Sequence, residues 1–309
     1  MHTQNNRTPL VVSFGGGVDS TAMLVEMKNR GIRPDLILFA DTGAEKPETY
    51  RHVMRFSEWL TANDFPAVTT VSYDPPIAPY DDLEGNCTMN ETLPSLAFGR
   101  KSCSLKWKVT PQHKFLESWT PAVETWNSGE KVRRALGFDN SVADKKRSAK
   151  VSWAIGLDDS AADKKRAASY AGGAVDDDKY DYFYPLQDWG MNREGCEAVI
   201  EAAGIPVPPK SSCYFCPAMK KPEILELRET NPDLFDRALA MEDGYLAGKH
   251  HAGRKAKGLK CSTVGLGRRF SWREFVETHD AEEAAEGDPI LDAFINDYVG
   301  EELIQLEVA

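Results

Sequence analysis

The chain has 309 residues, 41% hydrophobic and 28% charged, with a net charge of −11; no apolar run approaches the ~18 residues of a membrane span, and Met1 to Pro9 carries no signal-peptide core, so a cytoplasmic protein without a membrane role is expected. The acidic balance argues against a surface that grips nucleic acid throughout, yet it leaves a local basic cluster at Lys249, Arg254, Lys255, Lys257, Lys260, Arg268 and Arg269. Six cysteines scattered over so long a chain argue against a secreted disulfide framework, and in a reducing compartment clustered cysteines read as metal ligands or catalysts.

Leu10 to Phe14 is a short apolar, β-branched run that reads as a buried strand. Three glycines follow, then Asp19-Ser20-Thr21 and a helical pattern up to Gly31, which suits a helix C-terminus. Leu36 to Ala40 predicts a second buried strand, Pro47 to Ala62 a helix with Pro47 near its start, and Val68 to Tyr73 a third strand. Strand and helix alternating at this spacing predict an α/β fold with a parallel, doubly wound sheet. Asp74 to Ser102, rich in Pro, Asp, Asn and Gly, reads as a long surface loop, and Thr110 to Trp119 as a helix. Ala135 to Arg147 is echoed nineteen residues later by Ala154 to Arg166, a local duplication too short for a solenoid. The helical pattern returns over Glu194 to Ala203, Pro222 to Glu242 and the acidic tail from Asp280 to Glu302.

Ser13-Phe14-Gly15-Gly16-Gly17-Val18-Asp19-Ser20 lies between a strand and a helix. Glycines let a backbone approach a phosphate closely, and the following helix offers free N–H groups and a positive dipole end to an anion. No Gly-Lys-Ser/Thr ends the loop, so it is not a Walker A motif, and the G-x-G-x-x-G spacing of a dinucleotide site also fails.

At these residues the chain resembles the PP-loop ATP pyrophosphatases, whose signature is S-G-G-x-D-S; Ser13, Gly15, Gly16, Gly17, Asp19 and Ser20 carry the match, with Phe14 as an insertion-like variant. Asp41-Thr42-Gly43-Ala44-Glu45-Lys46-Pro47-Glu48-Thr49 is similar to the D-T-G-x-x-x-P-E-T segment of the branch that contains the phosphoadenylylsulfate (PAPS) reductases. Cys103-Ser104-Leu105-Lys106-Trp107-Lys108-Val109-Thr110-Pro111 resembles that branch's C-[ST]-x-x-x-K-x-x-P, and Tyr184 to Trp189 its P-L-x-x-W. The Gly…Ser…Arg segment between them is matched by Gly156, Ser160 and Arg166, or by the duplicate from Gly137 to Arg147. The resemblance extends to about residue 245. It implies an adenine nucleotide alpha hydrolase-like fold, an ATP-binding domain over residues 1–190 and a smaller, irregular and helical cysteine-containing part over 191–309. It implies ATP with Mg2+ held by Ser13, Gly15, Gly16, Gly17, Asp19, Ser20, Asp41, Thr42, Gly156, Ser160 and Arg166. Asp19, Asp41 and Lys106 are cast as catalytic residues.

Cys213-Tyr214-Phe215-Cys216 is a C-x-x-C whose thiolates can share one metal. The resemblance makes Cys103 the third ligand. Three thiolates and an open position suit a [4Fe-4S] cluster with one free iron; a fourth cysteine (Cys261, Cys196 or Cys87) would close the site around Zn2+ or a fully ligated cluster. The sulfonucleotide reductases carry a nucleophilic cysteine near the C-terminus, whereas no cysteine follows Cys261 here. What the resemblance implies is therefore ATP-dependent adenylylation followed by sulfur transfer, on a nucleic acid or nucleotide acceptor, by a homo-oligomer or a member of a complex. A sulfonucleotide reductase, a ligase adding nitrogen and a non-catalytic nucleotide-binding partner are the alternatives.

Overall fold

The computed structural model describes residues 8–75, 79–94, 102–142, 144–145, 177–249, 251 and 263–286. Five strands form one all-parallel sheet: β1 Leu10–Phe14, β2 Leu36–Asp41, β3 Val68–Ser72, β4 Val132–Leu136 and β5 Tyr180–Phe183, in the order β3-β2-β1-β4-β5. Ser13 pairs with Leu38 on one side and Leu136 on the other. The chain leaves β1 towards β2 and β3, then crosses back to β4, so β1 lies at the switch point where doubly wound sheets bind ligands.

Alternation along β1 separates two cores. Leu10, Val12 and Phe14 pack with the apolar sides of helices α1 (Val18–Asn29) and α2 (Pro47–Ala62). Val11 packs with Leu36, Leu38 and Ala40 towards α4 (Thr110–Leu116) and α5 (Thr120–Asn127) on the other face. Each fully buried Leu, Met or Phe in these clusters contributes about 1.5–3 kcal/mol. Helix α1 ends in a Schellman turn: Gly31 takes φ +67°, and Ile32 N–H donates to Met27 O at 2.8 Å.

The region from Asp74 to Ser102, expected as a loop, contains the short helix α3 (Leu83–Met89), which Asp82 caps by accepting from Gly85 N–H at 2.6 Å. The expected helix at Thr110 is preceded by a turn of π-helix, Leu105–Val109, and ends at Leu116. Helix α6 (Arg193–Ala202) packs its Cys196 and Ile200 into the α1 core. The helix expected over Pro222 to Glu242 is two, α7 (Lys221–Thr230) and α8 (Pro232–Ala247): Pro232 lacks an N–H, and Asn231 before it sits at φ −142°, ψ 64°, outside the helical region. Helix α9 is Trp272–Glu286.

The chain clusters into two compact units. One comprises Met1–Asn86 and Ser95–Cys213, the other Cys87–Pro94 and Tyr214–Ala309. The sheet belongs wholly to the first; α7, α8 and α9 belong to the second. Among the described residues no helix is long and apolar enough to cross a membrane. The second copy of the duplication, with Gly156, Ser160 and Arg166, lies outside the described residues, as do Cys261 and most of the acidic tail.

Candidate functional site

The glycine loop joins β1 to α1. Gly16 takes φ +70°, and a Cβ there would lie 3.1 Å from a Val53 methyl and 3.2 Å from a Thr49 methyl. Gly17 is the N-cap of α1 and has no side chain to cap it. A Cβ on Gly17 would stand 2.7 Å from Ser211 Oγ. Ser20 closes the loop on itself: Oγ accepts from Gly15 N–H at 3.1 Å and donates to Gly17 O at 3.2 Å. Thr21 Oγ1 lies 2.9 Å from both Gly17 O and His52 Nε2. Burial lowers the His52 pKa to about 4, so the imidazole is neutral at pH 7. The pull of this loop on an anion therefore comes from its amides and the dipole of α1, not from a cation behind it. Asp19, on the first turn, is met by Arg193 Nη1 at 3.5 Å.

The first copy of the duplication abuts this loop. A Cβ at Gly137 would meet Ser20 N and Cα at 2.9 Å, so only glycine lets β4's end approach the start of α1. The chain then turns around two buried carboxylates, Asp139 and Asp144: Asp139 Oδ1 accepts from Ser141 N–H at 2.9 Å, and Asp144 Oδ2 from Asp139 N–H at 3.2 Å.

Asp41 ends β2. Its Oδ1 accepts from Gly43 N–H at 2.8 Å and from the Tyr50 hydroxyl at 2.7 Å. Burial and that hydrogen bond push the Tyr50 pKa up, so the phenol stays a donor. A cleft of about 560 Å³ opens beside them, lined by Phe39, Asp41, Tyr50, Val53, Val68 and Thr70. Thr42 is buried, and its Oγ1 lies 3.2 Å from Cys213 Sγ. Glu45 forms an antiparallel bridge with Cys213. Its side chain is buried, Oε1 pairs with Lys108 Nζ at 2.5 Å, and Oε2 has no hydrogen-bond partner among the described residues. The segment Ser211 to Cys213 thus runs across both halves of the site, Ser211 over Gly17 and Cys213 against Thr42 and Glu45.

Cys103 sits in the helical turn Ser102–Ser104, half-buried, just ahead of the π-turn that carries Lys106 and Lys108. The Lys106 ammonium lies 5.0 Å from the Tyr73 ring centre, 5.6 Å from Trp107 and 5.8 Å from Tyr80, and 3.5 Å from Asn86 Oδ1. Aromatic faces stabilise the cation there. Cys216 belongs to the second unit and is half-buried. Cys103, Cys213 and Cys216 are in no disulfide, and thiolates of this kind are the usual ligands of zinc and of iron–sulfur clusters; the one group of three potential ligands that converges among the described residues is His279, Asp280 and Glu283. Cys196 is also free but fully buried in the α1 core, where burial and then the charge of Asp19 raise its pKa to about 12. That disfavours the thiolate a metal needs. Cys87 is buried in α3.

Ser13 is placed differently from the rest of the motif. Its hydroxyl donates to Gln112 Oε1 at 2.9 Å and accepts from Arg134 Nε at 3.2 Å, while Arg134 Nη2 donates to Gln112 Oε1 at 2.5 Å. Arg134 is 3% exposed, and among the described residues no carboxylate pairs with it. Burial, and then the charge of Arg134, lower the neighbouring His113 pKa to about 3. Sequence reading missed Gln112, Arg134 and Ser211. Gly137 belongs to the first of the two copies that the sequence offered, and it is the copy set against Ser20.

No protein-family model and no curated protein matches the chain. Among solved structures it is similar to the U34-tRNA thiolase NcsA from Methanococcus maripaludis with its [4Fe-4S] cluster, at 13% identity over 84% of this chain and 77% of that one, with a TM-score of 0.42. A similarity at that level assigns neither substrate nor cofactor; the functional reading rests on the residues of the site.

Proposed function

We propose that this chain cleaves ATP between the α- and β-phosphates, adenylylates an oxygen of a nucleic acid or nucleotide, and replaces that oxygen with sulfur. The observation that carries the reading is the run from Ser211 to Cys213, which joins an uncapped glycine loop at the sheet's switch point to a cysteine set against the Asp41-Thr42 turn. Phosphate binding and thiol chemistry then share one edge of the sheet.

In this reading Gly15, Gly16, Gly17 and the first turn of α1 hold the pyrophosphate of a Mg2+-bound ATP, with Asp19 and Ser20 beside it. The cleft at Asp41 and Tyr50 is of a size for a nucleoside. Ser13 supports the end of β1 from the opposite face through Arg134. The acceptor oxygen attacks the α-phosphorus, pyrophosphate leaves, and a sulfur nucleophile at the sulfide level displaces AMP from the activated carbon, so no net oxidation is needed. Lys106 stabilises negative charge on the departing phosphates. Cys103, Cys213 and Cys216 would hold the metal centre, a [4Fe-4S] cluster in preference to Zn2+, and when bound that group supplies the sulfur-carrying site. Gly156, Ser160 and Arg166 are assigned to the nucleotide only if the second copy of the duplication, and not Gly137, faces it.

The test is product analysis. ATP with a nucleic-acid acceptor is expected to give AMP and pyrophosphate; ADP and phosphate would overturn the reading. Anaerobic purification is expected to yield iron and sulfide, which Cys213→Ala removes while ATP binding by calorimetry survives. Zinc without sulfide would restrict the cysteines to structure.

A further inference from the structure

We propose that the second unit grips the sugar–phosphate backbone of a nucleic acid through the turn at Arg268 and Arg269, with Lys221 beside it. This rests on the reading above, that the acceptor is a nucleic acid, and deepens it by naming the surface that binds it.

The charge pattern is local and one-sided. From Gly244 to Arg273 the chain carries no Asp or Glu, yet it holds Lys249, Arg254, Lys255, Lys257, Lys260, Arg268, Arg269 and Arg273, in a protein whose net charge is −11. Arg273 is already committed to Asp243, at 2.6 Å. Arg268 and Arg269 are not so matched: among the described residues neither makes an ion pair, and Arg268 Nε is buried without a hydrogen-bond partner.

The turn that presents them is built, not merely solvated. Glu242 on α8 is fully buried, and its carboxylate accepts from Leu266 N–H at 2.6 Å, Trp272 N–H at 2.9 Å, Arg273 N–H at 3.1 Å and the Ser271 hydroxyl at 2.5 Å. One side chain thus ties both ends of the segment from Leu266 to Trp272. Between these ties Val264 N–H donates to Arg268 O at 2.8 Å and Arg268 N–H to Gly265 O at 2.9 Å. Arg268 is held at φ +65°, a left-handed conformation that a side chain adopts only when its surroundings fix it. The ring of Phe270 lies over Gly267, and the Lys221 ammonium stands 5.7 Å from that ring's centre. Two arginines and a half-exposed aromatic ring are therefore carried by one fixed turn, with an ammonium from α7 beside the ring. Guanidinium forks match phosphate oxygens, and an aromatic among cations suits a stacked base.

Fluorescence anisotropy on the full chain, with a 20-nucleotide RNA strand, the matching RNA hairpin and a duplex DNA of the same sequence, tests the proposal between 50 and 200 mM salt. Each phosphate contact contributes about 0.7–0.9 to the slope of log K against log salt. Arg268→Gln/Arg269→Gln is expected to lower the slope by about 1.4–1.8 and weaken binding about tenfold or more, and Lys221→Gln to lower the slope by about 0.7–0.9. ATP affinity, measured in parallel, is expected to stay unchanged. Should the double variant lose its thermal transition, Arg269→Gln alone carries the test, since that side chain is exposed. Preference for RNA or for DNA says which nucleic acid the turn serves. Wild-type binding with an unchanged slope in the variants overturns the turn and leaves the proposed function standing. No binding of any probe at 50 mM salt overturns both.

Discussion

Glu45 and Glu242 are two buried carboxylates in two different units, and they are satisfied differently. Glu242 receives three backbone N–H groups and a hydroxyl, divided between both oxygens. Glu45 has Lys108 on one oxygen and nothing among the described residues on the other. A buried charge with a full set of donors is an architectural device: its desolvation is offset locally and it fixes the chain around it. A buried oxygen left open, beside Cys213 and one turn from Asp41, is a strained arrangement of the kind that accompanies function. The Glu242 site lacks nothing that a ligand could add. The Glu45 site does.

The sharpest way to break this contrast is to truncate the satisfied member. Glu242→Ala leaves four donors buried without an acceptor and frees both ends of the Arg268 turn. It is expected to destabilise the second unit by about 3–5 kcal/mol, read as a separate, earlier urea transition with the first unit's transition in place. A loss under 1 kcal/mol would mean the carboxylate is not what holds the turn.

Lys108→Met comes next in size. It strands Glu45 without its cation and is expected to cost about 2 kcal/mol, less than a fully buried pair because Lys108 is 36% exposed. Adding Glu45→Gln should recover part of that loss. If the double variant is no better than the single one, the two residues are not coupled and Glu45 is held by something else.

Gly137→Ala tests the loop. The new methyl meets the Ser20 backbone at 2.9 Å and must push the start of α1 away from β4. ATP affinity is expected to fall about tenfold, or about 1.4 kcal/mol, with little change in the urea midpoint. An unchanged affinity would separate the duplicated segment from the nucleotide.

Much of this was legible in the sequence because it is local. The β-branched run at Leu10, the glycines, the proline at position 47 and the spacing of the next two strands each act within a few residues, and they dictate the parallel sheet and the loop at its switch point. Gly31 at a helix end was readable for the same reason. What stayed hidden depends on contacts across the chain. Ser13 looked like part of the loop because it precedes the glycines, but strand alternation turns its hydroxyl to the opposite face, where Gln112 and Arg134 meet it. The approach of Ser211 to Gly17 joins residues 194 positions apart, and no motif records it. The break at Asn231-Pro232 was readable in principle, since proline excludes the residue before it from the helix; the apolar periodicity running through both halves masked it.

A further expected effect separates the two units by pH. His52 titrates in the folded chain near 4 and His113 near 3, against about 6.5 when unfolded, because burial penalises the imidazolium and, for His113, Arg134 adds repulsion. Between those values the unfolded chain binds more protons than the folded one, so stability rises with pH across the window. The contribution is complete above pH 6.5 and is lost as pH falls towards 4. Both residues belong to the first unit. That unit's urea midpoint is therefore expected to drop between pH 7 and pH 5, by a stability on the order of 1 kcal/mol per histidine after allowing for the partial exposure of His52. His113→Phe keeps a ring against Tyr180, whose centre lies 4.9 Å away, and removes the titrating group. It should flatten the dependence by about half without lowering the midpoint at pH 5. An equally steep fall in the variant would place the proton uptake elsewhere and leave His113 as packing alone.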